Sequence, residues 1–471
     1  MHRKFHGLAA IFAFVAGACS LGPNYAKPNL DIPATWRDGQ AQAPIWPSSD
    51  WWRGFGSPQL DSLIAEAQAD NLDVAAAAAR VRQADAQARI AGAALLPSVV
   101  LGSDVSRVRQ PSSSGSSGNG SSGKGTPLYD ATISASYEID FWGKNRSALE
   151  AAQETAQASR YDEQTIALTT VSSVATTYFQ ILEFRDRLTV AEQNLASAED
   201  VLDALRAQVE FGTQSELAVA QQETTVATLR AAIPPLEQQL RQFIDALAIL
   251  VGQPPEAVDI TAGSLNDLSY PTVTPGLPSA LLSRRPDVAM AEAQLISANA
   301  NIRVARAAFF PSIQLTAQGG VESTALSTLF GPAGILYSLA ASVTQPIFEG
   351  GALEGQLHFE QGVYDELLQD YRKSVISAFQ DVEDSLIAIQ KTAEQEELEK
   401  VAVAQAQRAF DIATSQLRAG TIDVLTVLNT ETALFTAQDT LAQVQAAHVN
   451  AIVSLFRALG GGWKSGGDND A

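Results

Sequence analysis

Residues 128–142 read LYDATISASYEIDFW, and their alternation decides the fold. Tyr129, Ala131, Ile133, Ala135, Tyr137, Ile139 and Phe141 point one way, while Asp130, Thr132, Ser134, Ser136, Glu138 and Asp140 point the other. Period two with one apolar and one wet face is the signature of a β-strand. Three further segments, 99–108, 313–322 and 337–348, alternate in the same way. All four have the length of a strand that crosses a membrane with apolar side chains outward, roughly 9 to 11 residues.

A soluble strand would need another element to cover its apolar face. The candidates here are very long helices that spend their apolar residues on one another. From Lys144 to Phe211 there is neither Gly nor Pro, an uninterrupted 68 residues, enough for a rod of roughly 100 Å. Ile181, Phe184, Leu188, Ala191, Leu195, Ala198, Leu202, Leu205 and Val209 follow a three-four spacing, as do Tyr364, Leu368, Tyr371, Val375, Phe379, Val382, Leu386 and Ile389. These are coiled-coil seams. The flanking faces are rich in Ala, Gln and Thr, small enough for each helix to touch neighbours on two sides, which suits a ring of helices better than a pair.

Lipid is therefore the better partner for the strands. Four strands cannot close a barrel, and an open edge in hydrocarbon leaves backbone groups unsatisfied. Several chains must share one barrel: two would give eight strands filled by side chains, three would give twelve and leave a pore.

The whole chain is a tandem of one plan. A shift of 208 residues carries Tyr129 onto Tyr337, Ile139 onto Ile347, Gly143 onto Gly351, Gly212 onto Gly420, Leu217 onto Leu425 and Gly252 onto Gly460. The organisation reads as a leader, 1–18; an N-terminal segment, 19–56; a first repeat, 57–252, with a hairpin over 98–141 and long helices over 144–250; a Pro-rich connector, 253–277; a second repeat, 278–460, with a hairpin over 312–348 and long helices over 350–459; and a flexible tail, 461–471. Pro234 and Pro235 are expected to break the returning helix of the first repeat. FGT at 211–213 and AGT at 419–421 mark helix-stopping turns. The loop 111–126, nearly all Ser and Gly, has the composition of a tether.

Charge and composition exclude other classes. Asp and Glu number 52 against 31 Lys and Arg, a net −21, which repels a phosphate backbone and argues against nucleic acid as a partner. Four scattered histidines and one cysteine give a metal cage almost nothing to be built from. Carboxylate pairs such as Asp381 and Asp384 read as a solvated helix face, with no nucleophile or phosphate loop beside them, so no enzymatic activity and no cofactor are expected. The N-terminus MHRKFH followed by GLAAIFAFVAGA is a secretory leader. Cys19, in the context AGAC, is the expected site of a covalent lipid, with Ser20 after it consistent with sorting to the outer membrane.

CSLGPNYAKP (19–28), WWRGFGSPQLDSLIAEAQADNLDV (51–74), EIDFWGKNR (138–146) and above all LPSALLSRRPDVAMAEAQLISANANIRVARAAFFPSIQL (277–315) resemble the outer membrane factors, TolC-like tunnel proteins, in their NodT-type lipoprotein branch. The resemblance covers essentially the whole chain after the leader. It implies a mixed α and β membrane protein: a homotrimer sharing a 12-stranded outer-membrane barrel, four strands per chain, over a long periplasmic α-helical barrel with coiled-coil packing. It implies a passive exit duct for drugs, toxic compounds or metal ions. The partners would be a periplasmic adaptor, an inner-membrane pump of the resistance-nodulation-division type and outer-membrane lipid. Two other readings are a lipid-anchored periplasmic coiled-coil scaffold without conductance and the exit duct of a type I protein secretion system. By the same resemblance the periplasmic constriction falls on Leu425 and on Asn429, where relatives carry an aspartate, with Thr432 at the position of a basic partner. The adaptor contact falls on Gly212, Thr213, Gly420 and Thr421. Glu431 lies about 200° from Asn429 around the helix axis, so it is expected to face a neighbour and not the bore. The RRPD run, 284–287, reads as structural: Pro at the first helical turn, then an acid favouring the helix dipole.

Overall fold

The computed structural model describes residues 25–37, 45–108, 125–260, 262–276 and 278–464. The leader, Cys19, nearly all of the Ser/Gly loop and the tail beyond residue 464 lie outside the described residues. The chain divides into two compact units.

The first unit takes in residues 81–159 and 291–371, with the N-terminal residues up to 28, and contains the sheet. Its strands are β1 (Ser98–Val108), β2 (Thr126–Ile139), β3 (Ser312–Ser323) and β4 (Ile335–Thr344), in the order β1-β2-β3-β4, every pair antiparallel. The register puts odd-numbered residues of all four strands on one face. Leu101, Ile133, Gly319 and Tyr337 form one row of it, and Val99, Ala135, Ala317 and Leu339 another. Nothing covers this face among the described residues: Leu101 is 74% exposed, Leu339 79% and Tyr337 83%. A contiguous apolar surface of this kind marks contact with membrane or partner. The outer edges of β1 and β4 have no strand partner among the described residues.

Two strands end earlier than the alternation suggests. β2 stops at Ile139 because Asp140 turns to the next helix: its carboxylate accepts from Asn145 N–H and Arg146 N–H, each at 2.9 Å. β4 stops at Thr344 and not at residue 348, because Pro346 has no N–H to give a ladder. Ile347 and Phe348 follow it, almost fully exposed.

The second unit takes in residues 29–80, 160–290 and 372–471. The long helices among the described residues are α1 (Pro58–Asp70), α2 (Leu72–Ala93), α3 (Lys144–Glu210), α4 (Glu216–Leu250), α5 (Pro286–Ala307), α6 (Ala352–Arg418) and α7 (Val424–Ala458). The seams read from the three-four spacing are inside: Ile181, Ala191, Ala198, Leu205, Val375 and Val382 are all buried. An aromatic core at the start of α1 ties the unit together, with Trp51 stacked on Phe456 at 4.8 Å between ring centroids and Phe55 against Phe179 at 4.9 Å. Arg285 in the RRPD run is structural, as its motif implies: its guanidinium holds Asp287 beside Pro286 at the start of α5, Asp381 on α6 and the Ala458 carbonyl at the end of α7.

The expected break at Pro234 and Pro235 is not there; α4 runs through both. The carbonyls that lose their donors belong to Arg230 and Ala231. These two residues and both prolines are exposed, so water can satisfy the carbonyls that the helix cannot.

Candidate functional site

Two regions carry the candidate chemistry: the even-numbered face of the sheet and the end of the helical unit at the Gly-Thr turns.

On the sheet, Ser98, Ser136 and Thr316 form one polar row, and Ser134, Gln318 and Ser338 another. Near the loop end, Asp104 lies opposite Asp130, and Asp130 opposite Glu322. Three carboxylates side by side repel one another in a dry setting and are tolerable against water. Asp130 was legible from the alternation; the company of Asp104 and Glu322 was not, because only the register reveals it. Among the described residues no helix is long and apolar enough to cross a membrane.

The helical end is built by two copies of one cap. Gly212 (φ 71°) and Gly420 (φ 72°) take the left-handed conformation that stops α3 and α6. The next residue then closes back: Thr213 N–H and Oγ1 both donate to Gln208 O at 2.9 Å, and Thr421 N–H and Oγ1 to Gln416 O at 3.0 Å. Ser215 and Asp423 cap the returning helices, accepting from Ala218 N–H and Thr426 N–H. The Thr426 hydroxyl and N–H hold the Asp423 carboxyl below the usual range. An apolar cluster of Val201, Leu205, Ala218, Phe410, Leu417, Val424 and Val427 joins α3, α4, α6 and α7 behind these turns. The two pairs, Gly212 with Thr213 and Gly420 with Thr421, thus sit at the end of one four-helix bundle.

On α7, Leu425 (52% exposed), Asn429 and Thr432 share an open face, while Val424, Val427, Glu431 and Leu434 are buried. Leu425 and Asn429 are therefore brought together, one turn apart, and Glu431 faces a neighbour as its helical phase requires. Its carboxylate Oε2 accepts from Gln222 Nε2 on α4 at 3.4 Å, and the same amide donates to Ala198 O on α3 at 3.0 Å. Burial drives the Glu431 carboxyl above the usual range, and the Gln222 contact only partly offsets this. Gln222 was not foreseen; a polar side chain on the buried stripe of α4 was the available signal.

The N-terminal segment is held to the first unit by α5: Lys27 Nζ donates to Glu292 Oε2 at 2.7 Å and the Tyr25 hydroxyl to Glu292 Oε1 at 3.3 Å. In the second unit Trp36 Nε1 donates to Gly276 O at 2.6 Å.

A family described as outer membrane efflux protein matches the chain twice, over residues 63–253 and 277–461. The pyoverdine export outer membrane protein OpmQ of Pseudomonas putida is 41% identical over 451 residues, 95% of each chain. The toluene efflux pump outer membrane protein TtgF of the same species is 33% identical over 471 residues, 98% of this chain and 97% of the relative. The fold is similar to the open-state structure of the Neisseria gonorrhoeae MtrE outer membrane channel, with a TM-score of 0.86, 28% identity, and coverage of 95% of this chain and 99% of that one.

Proposed function

Because this chain belongs to the outer membrane efflux protein family, we propose that three copies build one exit duct: β4 of each copy pairs with β1 of the next, and the chain is driven by an inner-membrane pump through a periplasmic adaptor. The duct itself is an outer-membrane efflux channel. The observation that carries the trimer is the sheet with an uncovered apolar face and two unpartnered edges. Three copies satisfy both edges and give the twelve strands a pore requires. The cargo is a small organic molecule, in keeping with relatives named for a siderophore and for a solvent. The purified protein, reconstituted in a planar bilayer, is expected to be trimeric and to conduct ions; a water-soluble monomer would contradict the reading.

The row Asp104, Asp130 and Glu322, repeated three times around the bore, gives it a cation preference. Reversal potentials in a salt gradient test this: cation selectivity is expected to fall in Asp130→Asn, and an anion preference in the unaltered channel would contradict it. Leu425 and Asn429 form the constriction, an amide ring where relatives use carboxylates, and the two Gly-Thr turns receive the adaptor.

A lipid on Cys19 anchors the N-terminus. Mass spectrometry of the mature N-terminus checks it, with Cys19→Ser expected to lose the acyl mass; an unmodified cysteine in the native protein would refute it.

A further inference from the structure

Glu431 is 2% exposed, lies between the buried Val427 and Leu434 of its own helix, and meets Gln222, whose amide also reaches the Ala198 carbonyl. Among the described residues no cation contacts it. Its only hydrogen bond is the 3.4 Å contact from Gln222, and both Glu431 Oε1 and Gln222 Oε1 are buried with no partner among the described residues. Two acceptor oxygens without a donor are a costly arrangement for a carboxylate, and a single proton on the carboxyl supplies the donor they lack.

The charged groups on the packed helices do not supply it. On α3 and α4, Arg230 pairs with Glu199, and Arg206 with Glu223 and Asp203. On α6, Arg408 is exposed and Asp411 is held by Gln407. On α7 itself, Asp439 pairs with Arg187 and Asp423 caps the helix. Burial and the Gln222 amide alone act on Glu431.

We propose that Glu431, in its neutral form, is a latch that clamps α7 to α3 and α4 in the resting duct, and that its ionisation frees the helix that carries Leu425 and Asn429. This rests on the reading of those two residues as the constriction. The sign follows from linkage. Wherever the latch opens to water, the carboxyl returns to the ordinary range, so the open form releases its proton at lower pH than the closed one. The closed packing is fully favoured in acid and loses its advantage as pH rises towards the raised pKa of the closed form. Each unit between the two values changes the closed-to-open ratio about tenfold per chain.

Conductance of the reconstituted trimer, with pH varied from about 5 to about 8 on the side of the Gly-Thr turns, reads this directly. The unaltered channel is expected to conduct more as pH rises. Glu431→Gln, isosteric and never charged, is expected to stay at the low-conductance level throughout, and retention of the unaltered profile in that variant would overturn the latch. Leu425→Ala separates the two readings, since a constriction residue must raise conductance at every pH. Failure there sinks the constriction, whereas success there with an unchanged Glu431→Gln profile sinks the latch alone.

Discussion

Glu223 and Glu431 occupy equivalent positions of the two repeats, yet their surroundings are opposite. The helices that carry them, α4 and α7, are both 35 residues long, both follow a Gly-Thr turn, and both are capped by a short polar side chain. Glu223 is exposed and meets Arg206 at 2.9 Å; Glu431 is buried and meets only an amide. The difference extends along both helices. The middle of α4 is wet and tolerates Pro234 and Pro235, whereas α7 keeps an apolar face buried for most of its length. A duplicated sequence thus supplies one scaffold helix and one working helix, and the environment of a shared residue type tells which is which.

The sharpest way to break the comparison is to reverse the charge in both places. Glu431→Lys buries an unpaired cation and is expected to cost about 3 to 5 kcal/mol, or to prevent assembly. Glu223→Lys, at an exposed pair, is expected to leave the melting midpoint of the trimer nearly unchanged. Equal losses would refute the assignment of environments. A smaller effect comes from Glu431→Ala, expected to cost about 1 to 3 kcal/mol through a cavity and an orphaned Gln222 amide. The same change at Glu223 should again be nearly silent in denaturant titrations. The mildest test concerns what the repeats share. Gly212→Ala and Gly420→Ala each force a side chain into a left-handed turn with open space around it, so both should cost about 1 kcal/mol, and by the same amount.

Much of this was legible in the sequence, for physical reasons that can be named. Absence of Gly and Pro from 144 to 211 fixes α3, since a helix with a continuous seam has nothing to stop it before Gly212. Alternation fixes the strands because a side chain's face depends on its parity alone. What failed to show was whatever depends on the other side of a contact. Pro234 and Pro235 look like breakers until Arg230 and Ala231, whose carbonyls lose their donors, are seen to be exposed to water. Phe348 continues an alternation that Pro346 has already ended. At the candidate site, the resemblance pointed to Leu425 and Asn429, and the helical phase of α7 predicted that Glu431 leaves the face of Asn429. The identity of the group that Glu431 meets, Gln222 on a helix 209 residues away, lay beyond any local pattern.

The central claim is that one face of the sheet meets acyl chains and the other meets water. Fluorophores attached through single substitutions to cysteine along β3 and β4, in the reconstituted trimer, measure it residue by residue with lipid-borne and aqueous quenchers. Leu315→Cys, Leu339→Cys and Val343→Cys are expected to be quenched from the lipid, and Gln314→Cys, Gln318→Cys and Ser338→Cys from the aqueous phase. Loss of that alternation, with the first set shielded from lipid, would contradict the account.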